Sequence, residues 1–168
     1  MKSVQVISPA KINLFLEVVC KRKDDYHDVR TYMVPISLSD TVMVRRTGTG
    51  SIALRTESAD VPPGADNLVC KAAERFFREA RISRGGADIT LVKRIPVAAG
   101  LGGGSSNAAA TLIGLNKAYG APLGDAALRE VAAGLGCDVP FFLGKGGAVC
   151  VGRGDEVVPF PCRKTFWV

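Results

Sequence analysis

Length, composition and charge limit the classes of protein to which this chain can belong. Its 168 residues are 47% apolar and 23% charged, as in one ordinary globular domain, and its formal net charge of +6 suggests an anionic partner, either nucleic acid or a phosphorylated small molecule. No apolar run approaches the ~20 residues that span a bilayer, and the N-terminal residues lack a signal-peptide pattern, so we expect no membrane partner. The five cysteines are scattered, which argues against a disulfide framework or a zinc site and favours a reducing, cytoplasmic location.

Alternating hydrophobicity predicts strands in the first half of the chain. Residues 11–20 place Ile12, Leu14, Leu16 and Val18 on one side and polar side chains on the other, a pattern typical of a half-buried strand. Further strands are predicted at residues 29–38, 40–46 and 51–56. Pro35 indicates an edge position or a bulge, because proline cannot donate to a sheet ladder.

Helices dominate the middle of the chain. Asp66 is predicted to cap a helix over residues 67–81, in which Leu68, Ala72, Phe76 and Ala80 recur at helical spacing. A strand at 87–94, helices at 105–119 and 124–136, and a hairpin of residues 147–152 and 155–160 follow. The predicted fold class is α+β.

Residues 95–110 read IPVAAGLGGGSSNAAA and join the predicted strand to a predicted helix. A glycine-rich turn before a helix N-terminus exposes backbone N–H groups to an anion, and glycine lets phosphate oxygens approach without a Cβ in the way. No lysine follows the last glycine as a Walker A loop requires, and the glycine spacing is not that of a Rossmann turn. On this segment alone, a flexible or tightly packed loop is an equally good interpretation.

Three further short segments carry candidate reactive groups. Lys11 and Asn13 lie on the polar side of the first predicted strand, although a lysine there is usually only solvent-exposed. Asp138 precedes two phenylalanines and suits a general base, but local propensity favours a cap for the turn that begins at Val139. Tyr26 and His27 form a pair that can stack on a base and hydrogen-bond its edge, although such a pair is more often structural.

Taken together and in this order, the segments SPAKINLFLEV, YH, KRIPVAAGLGGGSSNAAA, LN and GCDVPFFL resemble the GHMP kinase superfamily. The resemblance runs from Ser8 to about Glu156. It is strongest with the branch that phosphorylates the carbon-two hydroxyl of a cytidine-diphosphate-linked sugar alcohol for isoprenoid synthesis. It implies a fold of the ribosomal S5 domain 2-like type with a left-handed βαβ crossover.

The same resemblance implies a role for individual residues, with ATP and Mg²⁺ as cofactors. Asp138 would accept the proton of the substrate hydroxyl, and Lys11 would hold Asp138 and the reacting groups in position relative to one another. Asn13, Tyr26 and His27 would contact the cytidine-diphosphate-linked substrate. ATP would be bound by Asn67 and by a loop made of Pro96, Val97, Ala98, Ala99, Gly100, Leu101, Gly102, Gly103, Gly104, Ser105 and Ser106, with Ser105 or Ser106 near the metal ion.

Two features depart from the family pattern. The family sequence D-G-Y-H is D-D-Y-H here, so Asp25 occupies a position where glycine suggests a positive φ. Family members also continue into a second domain, which we expect to lie beyond residue 168 and outside this chain. We therefore interpret residues 1–168 as the ATP-binding N-terminal domain, with residues 163–168 inside a strand that leads onwards.

The sequence also allows other functions. The charge and the S5-like fold allow a nucleic-acid-binding domain, although dispersed charges and few aromatic residues make a nucleic-acid partner the less favoured expectation. A nucleotide-binding module without transfer is a second possibility, and a homoserine- or mevalonate-type kinase is a third. The sequence indicates no oligomeric state.

Overall fold

The computed structural model of this chain describes residues 3–59, 61, 64–160 and 162. In these ranges it forms one mixed sheet with three α-helices and two short 3-10 helices, which confirms the predicted α+β class. The strands are β1 (Ser3–Lys21), β2 (His27–Thr47), β3 (Ile52–Thr56), β4 (Gly86–Val92), β5 (Ala148–Val151) and β6 (Glu156–Pro159). The α-helices are α1 (Leu68–Glu79), α2 (Gly103–Ala118) and α3 (Asp125–Ala133), and the 3-10 helices are Gly64–Asp66 and Pro140–Leu143.

Strand β2 organises the sheet because it has partners on both sides. The order is β3-β4-β2-β5-β6, and β1 pairs antiparallel with β2 over most of its length. On its other side β2 pairs with β5 at residues 31–33 and with β4 at residues 41–47. Strands β3 and β4 are parallel and are joined through α1, forming a βαβ unit. The handedness of that unit stays a prediction.

The helices form the core by packing small and apolar residues against the sheet. Alanines 108–110 of α2 are buried, and a Cβ on Gly114 would lie only 2.7 Å from Val44 Cγ2 of β2. The small residues therefore let α2 lie against the strands at close range, as the sequence predicts. This close contact fixes the helix N-terminus, where the glycine-rich segment ends.

The predicted half-buried strand at residues 11–20 is wrong in its second half. Beyond Asn13 both faces of β1 are exposed, including Phe15 on one side and Leu16, at 59% exposure, on the other. Helix α2 covers only the first half of β1, where Ser8 contacts Ser106. The second half pairs with residues 27–32 of β2. At residues 27–30, where β5 no longer pairs with β2, the two strands form a two-stranded ribbon that no helix of the described ranges covers.

Several predicted boundaries also differ from the structure. The strands predicted at 29–38 and 40–46 form one continuous strand, β2. Pro35 lies between the stretches of β2 that pair with β5 and β4, next to a register shift in β1, so the bulge interpretation is close to the observed geometry.

The ends of the helices also need correction. Asn67, not Asp66, caps α1, because its side-chain oxygen accepts a hydrogen bond from Val69 N at 2.9 Å, and α1 ends at Glu79. Helix α2 begins at Gly103 rather than at residue 105. The strand predicted at residues 163–168 lies outside the described residues.

Candidate active site

The glycine-rich segment forms a loop whose backbone is held in unusual conformations. Ala98, Gly100 and Gly102 have φ values of 58°, 74° and 69°, in the left-handed region. Gly102 is the N-cap of α2 and no side chain caps this helix start. The N–H groups of the first turn therefore have no side-chain cap, and an uncapped helix start is where proteins commonly bind anions.

A pocket of about 450 Å³ opens directly in front of this loop. Its volume lies in the range of small-molecule sites. The structure brings together almost all of the residues that the sequence analysis assigned to nucleotide: Asn67, Pro96, Val97, Ala98, Ala99, Gly100, Leu101, Gly102, Gly103, Gly104 and Ser105 line the pocket. Lys93, Asp66 and Asn107 are further lining residues.

Ser106 is the one member of the predicted set that does not line this pocket. It is buried, and its hydroxyl accepts a hydrogen bond from Ser8 Oγ at 2.8 Å. The neighbouring Ser105 does line the pocket. Of the two serines named for the metal ion, the geometry therefore favours Ser105.

Lys11 and Asp138 meet although they are far apart in sequence. Lys11 Nζ lies 3.5 Å from Asp138 Oδ2 and donates a hydrogen bond to Asn13 Oδ1 at 2.7 Å. Asn13 in turn donates to Thr31 Oγ1 at 2.7 Å. Lys11 is only 7% exposed, so the expectation of an ordinary solvent-exposed lysine is wrong.

Asp138 keeps access to solvent beside this buried cation. Its side chain is 36% exposed. It does not cap the following 3-10 helix, whose N-cap is Val139 and lacks a side-chain hydrogen bond. The carboxylate is thus held by Lys11 on one side and open on the other, as a group that receives a proton from a ligand must be.

The glycine-rich loop is in direct contact with Lys11, and so with the Lys11 site, by which we mean the Lys11–Asp138 pair and the side chains around it. Lys11 N donates a hydrogen bond to Leu101 O at 2.9 Å. A Cβ on Gly102 would lie 3.0 Å from Lys11 Cγ and 3.0 Å from Phe142 Cζ, closer than side chains normally approach. Together with its positive φ, this close approach favours glycine at residue 102, and it places the pocket and the Lys11–Asp138 pair side by side.

The predicted substrate-recognition pair lies in the turn between β1 and β2. Tyr26 is half exposed, and the guanidinium of Arg153 lies 5.3 Å from the centre of its ring. His27 is exposed at the first position of β2. Asp25 has a φ of 62°, so the positive φ inferred for this position from the family glycine is confirmed.

Two cysteines lie near the Lys11–Asp138 pair and respond to the charges around it. The pKa of the Cys150 thiol is raised to about 11, chiefly by burial and also by the negative charge of Asp138, while Lys11 acts in the opposite direction. Burial also raises the pKa of the partly buried Cys137, where the charge of Arg153 opposes the shift. Arg153, and with it the turn that carries Tyr26, is therefore close enough to influence this side of the site.

Sequence reasoning missed a buried polar cluster behind the loop. Asp40 is fully buried and accepts hydrogen bonds from Lys93 Nζ at 2.7 Å and Asn107 Nδ2 at 2.8 Å. Asn107 also donates to Ser8 Oγ at 2.9 Å. The only available signal was a lone acidic residue, Asp40, between two apolar strand segments.

The residues present fit a nucleotide with a magnesium ion. The described ranges contain no group of three or more His, Cys, Asp and Glu side chains that could hold a metal by themselves. Mg²⁺ is commonly held by substrate phosphates, water and one or two protein oxygens, so Ser105 and a bound triphosphate suffice. Among the described helices none is long and apolar enough to cross a membrane.

Comparisons with known proteins agree with this geometry. The family described as GHMP kinases N terminal domain matches residues 67–146. A 4-diphosphocytidyl-2-C-methyl-D-erythritol kinase from Pelotomaculum thermopropionicum is 48% identical over 160 residues, covering 95% of this chain and 55% of the relative. The enzyme of the same name from Nostoc punctiforme is 42% identical over 171 residues, covering 100% of this chain and 54% of the relative.

A solved structure extends the similarity to three dimensions. The crystal structure of 4-(cytidine 5'-diphospho)-2C-methyl-D-erythritol kinase superposes with a TM-score of 0.78 at 39% identity, covering 94% of this chain and 55% of that one. The chain thus spans about half the length of the relatives it matches. With the loop, the sheet and these similarities in agreement, this chain belongs to the GHMP kinases, whose N-terminal domain its residues 67–146 match.

Proposed function

We propose that this chain is the nucleotide-binding part of a 4-diphosphocytidyl-2-C-methyl-D-erythritol kinase. The reaction is transfer of the γ-phosphoryl group of ATP to the carbon-two hydroxyl of the cytidine-diphosphate-linked substrate, and a cytoplasmic location is part of the proposal. The observation that carries it is the contact between the pocket-forming loop and the Lys11–Asp138 pair, through Gly102 and through the hydrogen bond from Lys11 N to Leu101 O.

In this proposal the loop binds the phosphates of ATP. Backbone N–H groups at the start of α2 donate to phosphate oxygens, and the glycines let those oxygens come close. Ser105 contributes an oxygen to the magnesium ion, which supplies charge neutralisation on the transferring phosphoryl group. Asn67 lies at the pocket wall, where it ends the loop that precedes α1.

Phosphoryl transfer then needs the acceptor hydroxyl to be aimed and deprotonated. The exposed oxygen of Asp138 accepts the hydroxyl proton, and the buried ammonium of Lys11 holds the carboxylate 3.5 Å away. The Lys11–Asn13–Thr31 hydrogen bonds fix the direction of that ammonium. Asn13 also orients the polyol portion of the substrate.

Tyr26 and His27 recognise the cytidine in this proposal. The half-exposed Tyr26 ring offers a stacking surface, and the His27 imidazole can donate to and accept from a base edge. Cytidine diphosphate should then compete with the alcohol substrate and leave the ATP affinity unchanged. A homoserine- or mevalonate-type kinase would show no such competition.

The test has a binding arm and a transfer arm. Calorimetric titration with Mg-ATP measures nucleotide binding, because the whole pocket lies within this chain. ADP release with and without 4-diphosphocytidyl-2-C-methyl-D-erythritol then measures transfer, with Asp138→Asn as the matched control. We expect substrate-dependent release that falls by about 10²–10⁴-fold in the control, the usual contribution of a general base.

The outcomes separate the parts of the proposal. If ATP binds but no transfer occurs, the proposed nucleotide site stands, and the transfer assay is repeated on a longer chain of the relatives' length. Absence of transfer there as well, or transfer that does not respond to Asp138→Asn, refutes the kinase assignment of these residues.

A further inference from the structure

Asp40 links the two ends of the glycine-rich loop. Its Oδ1 accepts hydrogen bonds from Arg94 N at 2.6 Å and Ile95 N at 2.8 Å, and its Oδ2 accepts from Lys93 Nζ and Asn107 Nδ2. The first three donors lie immediately before the loop, and Asn107 lies in the second turn of α2, immediately after it. One carboxylate therefore holds both ends of the loop together.

The same cluster extends to the strand that carries Lys11. Asp40 and Ser8 are opposite each other in the pairing of β2 with β1. Ser8 Oγ accepts from Asn107 Nδ2 at 2.9 Å and donates to Ser106 Oγ at 2.8 Å. Ser8 lies three residues before Lys11, so the cluster connects the loop to the strand of the proposed catalytic lysine.

Stability alone does not account for the buried ion pair of Asp40 and Lys93. Asp40 is 0% exposed, and Lys93, its ionic partner, is also largely buried. Replacing such a buried pair with apolar residues is often neutral or stabilising, so the pair is weak evidence for a purely structural role. The loop, by contrast, has three residues with positive φ, a conformation that its own residues do not favour.

We propose that Asp40 is a positioning residue for nucleotide binding. Its four hydrogen bonds hold residues 93–95 and the start of α2 at a fixed separation, and so keep the backbone N–H groups of the loop directed into the pocket. Ser8 and Asn107 transmit the same restraint to β1. This inference rests on the nucleotide-binding role proposed above for the loop.

The main test is Asp40→Asn, which preserves the shape of the side chain. One end of the amide would be an NH₂ group facing donors, because both carboxylate oxygens of Asp40 accept from N–H groups. We expect the dissociation constant for Mg-ATP to rise by about 10-fold or more at temperatures where the variant is fully folded, as when one hydrogen bond to a charged group is lost. We also expect faster hydrogen exchange of the loop amides at 97–104.

Tyr119→Phe is the matched control. The Tyr119 hydroxyl joins the far end of α2 to the strands, donating to Gly86 O at 2.8 Å and accepting from Gly86 N at 3.0 Å, and it lies outside the pocket. Its removal should lower the unfolding temperature but leave ATP affinity and loop exchange unchanged. A merely structural role for Asp40 predicts the same behaviour for Asp40→Asn.

The possible results are decisive in each case. Wild-type ATP affinity and loop exchange in a folded Asp40→Asn variant overturn the inference. If that variant does not fold, Ser8→Ala carries the test. It removes two neutral hydrogen bonds, those with Asn107 and Ser106, so we expect ATP affinity to fall by about 5-fold or more, and no change refutes the inference. If the wild-type chain fails to bind ATP, the nucleotide-binding role falls, while the exchange measurement still decides whether Asp40 orders the loop.

Discussion

Gly102 offers the sharpest test of the contact between the loop and the Lys11 site. Changing it to alanine has two consequences in the structure. Its φ of 69° is unfavourable for a residue with a Cβ, which costs about 1–2 kcal/mol. The new Cβ would also meet Lys11 Cγ and Phe142 Cζ at 3.0 Å each, and crowding of this kind in a packed site costs about 1–3 kcal/mol.

Gly100→Ala is the matched control because it separates these two effects. Gly100 has a similar φ of 74°, but a Cβ there would meet no atom within 4 Å. Both substitutions also reduce the entropy of the unfolded chain by the same amount, about 0.4–1 kcal/mol in favour of the variant. We therefore expect the free energy of unfolding to fall by about 1 kcal/mol for Gly100→Ala and about 2–4 kcal/mol for Gly102→Ala.

Urea unfolding followed by far-UV circular dichroism measures both values. The difference between the two variants isolates the contact of residue 102 with Lys11 and Phe142. Equal losses in the two variants would contradict the tight contact, and with it the argument that the loop and the Lys11–Asp138 pair are rigidly joined.

Three further predictions follow from individual residues. Asp25→Gly should raise the unfolding temperature slightly, because relief of the strained φ of 62° contributes about 1–2 kcal/mol and the greater freedom of glycine in the unfolded chain offsets about 0.4–1 kcal/mol of it; an unchanged or lower unfolding temperature would contradict this. Cys150, whose pKa is raised to about 11 chiefly by burial, should resist alkylation at neutral pH until the protein unfolds, whereas the exposed Cys20 should be labelled in the folded protein; peptide mass spectrometry checks the order, and labelling of Cys150 before Cys20 would refute it. Burial alone would raise the pKa of Asp40, but its hydrogen bonds to the backbone N–H groups of residues 94 and 95, to Lys93 and to Asn107 outweigh burial and lower it. A lowered folded-state pKa contributes stability above the unfolded value of about 4 that is lost as the pH falls through the folded value, so the free energy of unfolding of Asp40→Asn should fall less steeply than that of the wild type below about pH 4.

Local patterns in the sequence predict the elements better than they predict their surroundings. The spacing of apolar residues gives α1 to within two residues at its C-terminal end, and the glycine-rich segment gives the loop and the start of α2. Alternation in residues 11–20 gives a strand, but not its exposure, because burial depends on what covers a face and not on the pattern along it. The periodicity of the sequence therefore does not predict that the ribbon of β1 and β2 is exposed on both faces.

The same distinction applies to the candidate site. Residue types and spacing leave the loop, Lys11 and Asp138 open to structural interpretations, and it is the resemblance to the GHMP kinases that points to all three. The structure brings them together. Asp40 could not be found in this way because its partners lie at positions 93, 94, 95 and 107, and no spacing rule connects them. Buried polar clusters depend on tertiary contacts between distant segments, and a single sequence does not display these.

The order of the site residues along the chain has a consequence for synthesis on the ribosome. Among the residues that the structure describes, those that line the pocket lie between positions 61 and 107, whereas the carboxylate of Asp138 follows 31 residues later. At about 5–20 residues per second, translation separates these two points by roughly 2–6 seconds. The nascent polypeptide thus contains the described lining residues of this pocket before the proposed general base has been made.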